Sequence, residues 1–116
     1  MALVQISQAQ GRIPVTVFHL QDRVNLGNFA ELEEAAKQAH NNGMRDLVID
    51  LTQTPSLTSI GVRALVIIHK MLSEDDRGKH LKLASPIPPI RDMLDISGVT
   101  EYVEVYDSVE QAVASF

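Results

Sequence analysis

Residues 46–62 form the segment DLVIDLTQTPSLTSIGV, from which the rest of the fold can be inferred. Its first part, 46–51, holds the continuous apolar run Leu47-Val48-Ile49, which is typical of a strand buried on both faces of a parallel sheet. A polar stretch containing Pro55 follows, and an apolar-rich helix is predicted over 59–73. A buried strand that leads through a loop into a helix indicates an α/β fold with crossover helices.

The sequence on either side of this segment continues the alternation of strands and helices. Two short strands joined by a Gly-containing turn predict an antiparallel hairpin at the N-terminal end, and Asn28 is predicted to cap the first helix. The predicted strands are 4–9, 15–20, 46–51, 81–84 and 103–106, and the predicted helices are 29–40, 59–73, 88–98 and 109–116, with a polar turn at 74–79. The order ββαβαβαβα predicts a four- to five-stranded mixed, mostly parallel sheet with about four helices.

Composition and charge argue against several classes of function. The chain has 116 residues, 45% of them apolar, which is enough to bury a core. Its net charge of −5 and the lack of any Lys/Arg cluster argue against binding to nucleic acid or to an anionic membrane surface. The longest apolar run, 64–68, is too short for membrane insertion, and residues 1–9 lack a signal-peptide pattern. We therefore expect a cytoplasmic protein.

No catalytic or metal-binding constellation can be recognised from spacing. The chain has no cysteine and neither a GxGxxG nor a Walker A loop. Asp22 and Asp50 could form a carboxylate pair, but no partner acid or base is fixed by spacing. None of the four histidines shares metal-ligand spacing with another: His19, His40, His69 and His80. We therefore expect no catalytic residue, no metal and no cofactor.

The remaining candidate site is the junction between strand 46–51 and helix 59–73. In an open α/β sheet, ligands and partners meet the loops at the carboxyl ends of the strands. A hydroxyl at the start of a helix faces unpaired backbone N–H groups and the positive end of the helix dipole, where a phosphate is favoured. The simpler interpretation is that Thr58 or Ser59 only caps the helix, and the residue pattern leaves both interpretations open.

The helix after this junction carries more apolar residues than a simple amphipathic helix needs. Its core-facing side is predicted to be Gly61, Ala64, Leu65, Ile68 and Leu72. The opposite side is marked by Arg63, Lys70 and Ser73. Four further apolar residues flank that polar side: Ile60, Val62, Val66 and Ile67. They either pack against neighbouring elements or form a partly exposed docking surface beside Ser59, and both alternatives stay open.

The junction resembles that of the STAS domain, which is shared by bacterial anti-sigma-factor antagonists and sulfate-transporter tails. Asp50-Leu51-Thr52 matches the family's strand ending in Asp-Leu-Ser/Thr. Thr58-Ser59-Ile60-Gly61-Val62 is similar to the family's Asp-Ser-Ser-Gly-Leu, which opens a helix. Further similarity lies at 24–32, 82–84, 90–98 and 106–112. The resemblance covers nearly the whole chain and implies a single STAS domain over 1–116.

The resemblance implies the function of an anti-sigma-factor antagonist, a non-catalytic module that sequesters an anti-sigma serine kinase and so frees a sigma factor. By position Ser59 is the residue phosphorylated by that kinase, with Thr58 as the second choice, and a phosphatase would reverse the modification. Phosphorylation breaks the complex in the family. The implied partner-binding residues are Asn25, Thr58, Ser59, Ile60, Val62, Arg63 and Val66.

Three positions depart from the family pattern. Thr58 stands where the family has an aspartate, Asn25 stands where the first loop has one, and Ile60 replaces a small residue. The site is therefore less acidic than is usual, which bears on recognition by a kinase and not on the fold.

Two alternatives to this function remain open. A STAS scaffold subunit of a stress-sensing or lipid-transport complex would bind partners without phosphorylation, and Ser59 would then only cap its helix. A small enzyme or nucleotide binder on a flavodoxin-like sheet would need the phosphate loop and the catalytic groups that the sequence lacks. The sequence is also compatible with a homodimer.

Overall fold

The computed structural model describes residues 3–74 and 78–116. Its elements follow the predicted order, with boundaries that differ by a few residues. They are β1 (Val4–Gln10), β2 (Pro14–Leu20), α1 (Phe29–Asn41), β3 (Leu47–Asp50), α2 (Ser59–Leu72), β4 (Leu81–Ala84), α3 (Pro88–Ile96), a 3₁₀ turn (Val99–Glu101), β5 (Glu104–Tyr106) and α4 (Val109–Ala114). Of the polar turn expected at 74–79, residues 75–77 lie outside the described part of the chain.

The five strands form one sheet in the order β1-β2-β3-β4-β5. β1 and β2 are the predicted antiparallel hairpin, with Val4 opposite Leu20. All other neighbours are parallel, as short strands joined by crossover helices require. β3 lies at the centre, and its residues Val48 and Ile49 are fully buried, as the continuous apolar run predicts. The mixed, mostly parallel sheet with an N-terminal hairpin is therefore confirmed.

The alternation of side chains along the strands divides the core into two layers. One face of the sheet, with Phe18 and Ile49, packs against α1, α2 and α3. The opposite face, with Val17 and Val48, packs against α4. α4 has only six residues and lies over β3, β4 and β5. The second face is left open around Ser7 of β1, which is exposed, whereas Ala9 of the same strand packs against the α4 cluster.

The helix boundaries agree with their local sequence signals, with one exception. Ser108 caps α4 by accepting a hydrogen bond from the Gln111 backbone N–H at 3.1 Å. Asn28 precedes α1 as predicted, but its side chain does not cap the helix. Its Oδ1 instead accepts from the Asn25 N–H at 2.9 Å, and its Nδ2 donates to the Arg23 carbonyl at 2.7 Å. The Asn28 side chain therefore shapes the loop before α1.

Within the described residues, no helix combines the length and the apolar character that crossing a membrane requires.

Replacement of Val48 by arginine tests the position of β3. Val48 is fully buried between the sheet and α4, so an unpaired guanidinium there would cost several kcal/mol and should unfold the protein. Gln5→Arg is a matched control, because Gln5 is exposed on β1 of the same sheet. Urea denaturation followed by circular dichroism measures both variants. Equal stability of Val48→Arg and the wild type would contradict the central position of β3.

Candidate partner-binding site

The loop that joins β3 to α2 is bound to the loop that precedes α1, at the carboxyl ends of β2 and β3. The Val24 N–H donates to the Ser56 carbonyl at 3.4 Å, and the Thr58 N–H donates to the Val24 carbonyl at 3.2 Å. Val24 and Leu57, which form an isolated parallel bridge, are both buried. The two loops therefore form one surface, on which Asn25 and residues 58–60 lie side by side.

Thr58 uses its hydroxyl for two hydrogen bonds at the start of α2. Its Oγ1 accepts from the Gly61 backbone N–H at 3.4 Å, which makes Thr58 the N-cap of the helix. The same hydroxyl donates to the Val24 carbonyl at 3.1 Å. Of the two hydroxyls that the sequence offers as a cap, Thr58 is the one used, and the alternative that Ser59 caps α2 is wrong.

Ser59 is the first residue of α2, and it is exposed. Its hydroxyl makes no hydrogen bond to any residue that the structure describes. The first turn of a helix carries backbone N–H groups without intrahelical partners and the positive end of the helix dipole. Ser59 therefore presents an uncommitted hydroxyl where an added anion is electrostatically favoured.

Gly61 allows α2 to begin close to the loop before α1. A Cβ atom at this position would lie 2.5 Å from Leu57 Cδ1 and 3.1 Å from the Val24 carbonyl oxygen. Leu57 could move, but the carbonyl belongs to the backbone that Thr58 binds. The close approach explains why a residue without a side chain follows Ile60.

A shallow groove of about 210 Å³ begins next to Ser59 and runs between α1 and α2. It is lined by Phe29, Glu33, Ile60, Arg63 and Ile67. Ile60 and Phe29 are half-buried, and Ile67 is exposed. The lining combines three apolar side chains with one carboxylate and one guanidinium, which suits the docking of an amphipathic protein segment better than that of a small polar ligand.

The predicted partner-binding residues do not all reach this groove. Val62 is only 9% exposed and belongs to the core, so its assignment to the docking surface is wrong. Val66, four residues later on the same side of α2, is only partly buried against the same core and does not line the groove, so its role in partner binding stays a prediction. Ile60 and Arg63 do line the groove. The excess of apolar residues on α2 is therefore explained partly by packing and partly by the groove.

Asn25 lies in the adjoining loop and is half-buried. Its Oδ1 accepts from the Gly27 N–H at 2.9 Å, so the amide of Asn25 stabilises the turn that leads into α1. The groove also contains three residues that the sequence does not predict to bind a partner: Phe29, Glu33 and Ile67. The sequence does give a signal for Ile67, namely its position beside the polar side of the helical wheel. Phe29 and Glu33 belong to α1 and reach the groove only because α1 packs against α2.

Among the residues that the structure describes, no three His, Asp or Glu side chains are grouped so as to hold a metal ion.

Comparisons with known proteins agree with this fold. The family model described as the STAS domain matches residues 6–112. A relative from Bordetella bronchiseptica named "Putative anti-sigma factor antagonist BtrV" is 31% identical over 97 residues, which cover 84% of this chain and 82% of the relative. The likeness thus extends over most of both chains.

Solved structures show the same fold at lower identity. An anti-sigma-factor antagonist (STAS) domain protein from Planctomyces limnophilus is similar with a TM-score of 0.83 at 20% identity, over 99% of this chain and 98% of that one. The Bacillus cell fate determinant SpoIIAA in its phosphorylated form is similar with a TM-score of 0.70 at 16% identity, over 97% of each chain.

Substitutions of Thr58 and Ser59 test which of the two hydroxyls stabilises the start of α2. Thr58→Ala removes both hydrogen bonds of the cap, so we expect a loss of about 0.5–2 kcal/mol in the free energy of unfolding. Ser59→Ala should change this quantity by less than about 0.5 kcal/mol, because no described contact is lost. Thr58→Ser keeps the hydroxyl and should retain most of the stability. Urea titrations of the three variants measure these values, and a larger loss for Ser59→Ala than for Thr58→Ala would refute the assignment.

Proposed function

The chain belongs to the STAS domain family, and from this membership and the geometry of the Thr58–Ser59 junction we propose that it is an anti-sigma factor antagonist switched by phosphorylation of Ser59. In this proposal the unmodified protein sequesters an anti-sigma factor that is also a serine kinase. Phosphorylation by that kinase releases the complex, and a phosphatase restores the binding form. The switch would operate in the cytoplasm.

One observation carries the proposal: the exposed hydroxyl of Ser59 makes no hydrogen bond within the described part of the chain, and Ser59 adjoins the groove between α1 and α2. A regulatory hydroxyl must be modifiable without loss of the fold. Ser59 meets that condition because Thr58, and not Ser59, supplies the cap of α2. The names of the relatives add support, since the Bordetella protein is named as an anti-sigma factor antagonist. The Bacillus protein with this fold has a phosphorylated form.

The physical effect of a phosphate on Ser59 would be local. A phosphoserine adds roughly −1.5 to −2 charges at pH 7. At the start of α2 the helix dipole favours that charge by about 0.3–1 kcal/mol, so the domain keeps its shape. The end of the groove at Ile60 then becomes anionic, because Arg63, which opposes Glu33 in the lining, offsets only part of the added charge. A partner with an apolar or acidic docking segment would have to desolvate the phosphate, so its affinity falls.

The side chains at positions 25 and 58, close to Ser59, are uncharged, and this affects how a kinase would recognise the site. Positions 58 and 25 carry Thr58 and Asn25, and both use their side-chain oxygens in hydrogen bonds to the backbone. Arg63 is the one charged side chain of α2 that lines the groove. The cognate kinase would therefore recognise a neutral serine surface bordered by an arginine, and an acidic side chain on the kinase would be the complementary partner for Arg63.

The function is tested by comparing three forms of the protein as baits in extracts of the native cell. The wild type and Ser59→Ala should capture a protein identified by mass spectrometry as an anti-sigma factor with a serine-kinase domain. Ser59→Asp should capture much less, because its charge imitates part of the phosphate. Incubation of the wild type with the recovered kinase and ATP should place phosphate on Ser59. Equal capture by all three forms, with phosphate only at other residues, would instead favour the scaffold alternative.

A second test concerns the groove as the docking surface. Ile60→Asp and Ile67→Asp place a carboxylate in the groove and should weaken binding of the captured partner at least tenfold, with the fold retained. Ile96→Asp is a matched control, because Ile96 is 87% exposed on α3 and lies outside the groove. Val62→Asp, by contrast, should unfold the domain. Titration calorimetry measures the affinities, and unchanged binding by both groove variants would exclude the groove as the docking surface.

A further inference from the structure

Three polar side chains form a line across the face of the sheet that α4 leaves uncovered. They are Ser7 on β1, His19 on β2 and Asp50 at the end of β3. His19 is paired with Asp50 in the parallel register of β2 and β3. Ser7 is paired with Val17, two residues before His19, so the two side chains are diagonal neighbours on one face. The strand register therefore brings together residues that lie 12 and 31 positions apart in the sequence.

These side chains are joined by a continuous chain of hydrogen bonds. His19 Nδ1 lies 2.7 Å from Asp50 Oδ2, and His19 Nε2 lies 2.9 Å from Ser7 Oγ. The other oxygen of Asp50, Oδ1, accepts from the Thr52 N–H at 3.0 Å and from the Thr52 hydroxyl at 2.6 Å. Both oxygens of the carboxylate thus take part in hydrogen bonds, which fixes its orientation.

The ionisation of Asp50 determines which nitrogen of His19 carries the proton. Burial acts to raise the pKa of Asp50, but the hydrogen bonds from Thr52 and His19 outweigh it and hold the pKa below its ordinary value. An ionised carboxylate only accepts hydrogen bonds, so in neutral His19 the proton lies on Nδ1. The lone pair of Nε2 then faces the hydroxyl of Ser7, which donates to it. This is the arrangement of a nucleophile, a base and a group that orients the base.

The base and the nucleophile can be reached from solvent. Ser7 is exposed, and the side chain of His19 is 31% exposed, whereas that of Asp50 is only 13% exposed. An open depression of about 370 Å³ lies over His19 and Asp50, and the amide side chains of Gln5, Gln21 and Gln53 border it. The amides of Gln5 and Gln53 make no side-chain hydrogen bond to any described residue. Gln5 is paired with His19 and lies on the same face of β1 as Ser7, two residues away, so its amide is the available donor to an anionic oxygen that forms near Ser7.

We propose that Ser7 is an activated nucleophile that is acylated by small carboxylic esters, with His19 as its general base. The Ser7 oxygen forms a bond to the ester carbonyl carbon while its proton passes to His19 Nε2. The bond from that carbon to the alcohol oxygen then breaks, and the alcohol leaves with the proton from His19. Water hydrolyses the acyl-serine by the same route, so ester and water yield carboxylic acid and alcohol. Asp50 acts as a positioning residue for His19.

The inference uses neither Ser59 nor the groove, so its failure would leave the proposed function intact. Its rival is a purely structural role, in which the three side chains only connect β1, β2 and β3. A structural connection needs hydrogen bonds but no base. His19→Gln distinguishes the two roles, because an amide can still donate and accept between neighbouring strands but cannot take up a proton.

The test uses a fluorophosphonate, which forms a phosphorus–oxygen bond to an activated serine as fluoride leaves and the proton passes to the base. Peptide mapping of the full chain should find the adduct on Ser7, and Ser7→Ala should not react. His19→Gln should react at least about 10²-fold more slowly, which is the lower range for general base catalysis. Ser56→Ala is the matched control, because Ser56 is exposed in the loop between β3 and α2, and it should react like the wild type.

A second readout is the hydrolysis of p-nitrophenyl acetate by the same four proteins and by two variants of Asp50. The rate should fall to the background in Ser7→Ala and His19→Gln. Asp50→Asn should lower kcat more than it changes KM, and Asp50→Glu should restore part of the loss. A wild-type rate equal to that of Ser7→Ala in either assay, or equal reactivity of His19→Gln and the wild type, would overturn the inference and leave a structural connection between strands.

Discussion

The organisation of the partner-binding site depends on the two hydrogen bonds of the Thr58 hydroxyl. One stabilises the start of α2, and the other binds that start to the Val24 carbonyl in the preceding loop. The start of α2 is thereby joined to the loop that leads into α1, and these two helices line the groove. Because Thr58 is the N-cap, the side chain of Ser59 is not needed to cap the helix. Under the proposed function, Ser59 would therefore gain and lose a phosphate without a change in the hydrogen bonds that cap the helix.

The strand β3 connects the two chemically distinct surfaces of the domain. Its last residue, Asp50, orients His19 on the face of the sheet that α4 leaves open. The loop that follows then crosses to α2, which packs on the other face. Thr52 binds the Asp50 carboxylate just after β3, and Thr58 caps α2. One short segment thus separates the groove between α1 and α2, the proposed docking surface, from the Ser7–His19–Asp50 chain.

Much of the fold could be predicted from the sequence because its signals are local. The apolar run 47–49, the turn residues of the hairpin and the serine before α4 each act within a few positions. Predictions that depended on packing between distant elements were less accurate. Val62 has the helical position of a flanking residue, yet neighbouring elements bury it. The alternation of β1, β2 and β3 gives the face of Ser7, His19 and Asp50, but their contact depends on the strand register, which the local alternation pattern does not reveal.

The central claim is that Ser59 can carry a phosphate at no cost to the fold because Thr58 supplies the cap. The most direct measurement is the free energy of unfolding of the protein with phosphoserine incorporated at position 59, compared in urea with that of the unmodified chain. The account predicts a value that is equal or higher by about 0.3–1 kcal/mol at low ionic strength, owing to the helix dipole. A decrease of more than about 1 kcal/mol would contradict it, since the hydroxyl of Ser59 would then be part of what holds the helix.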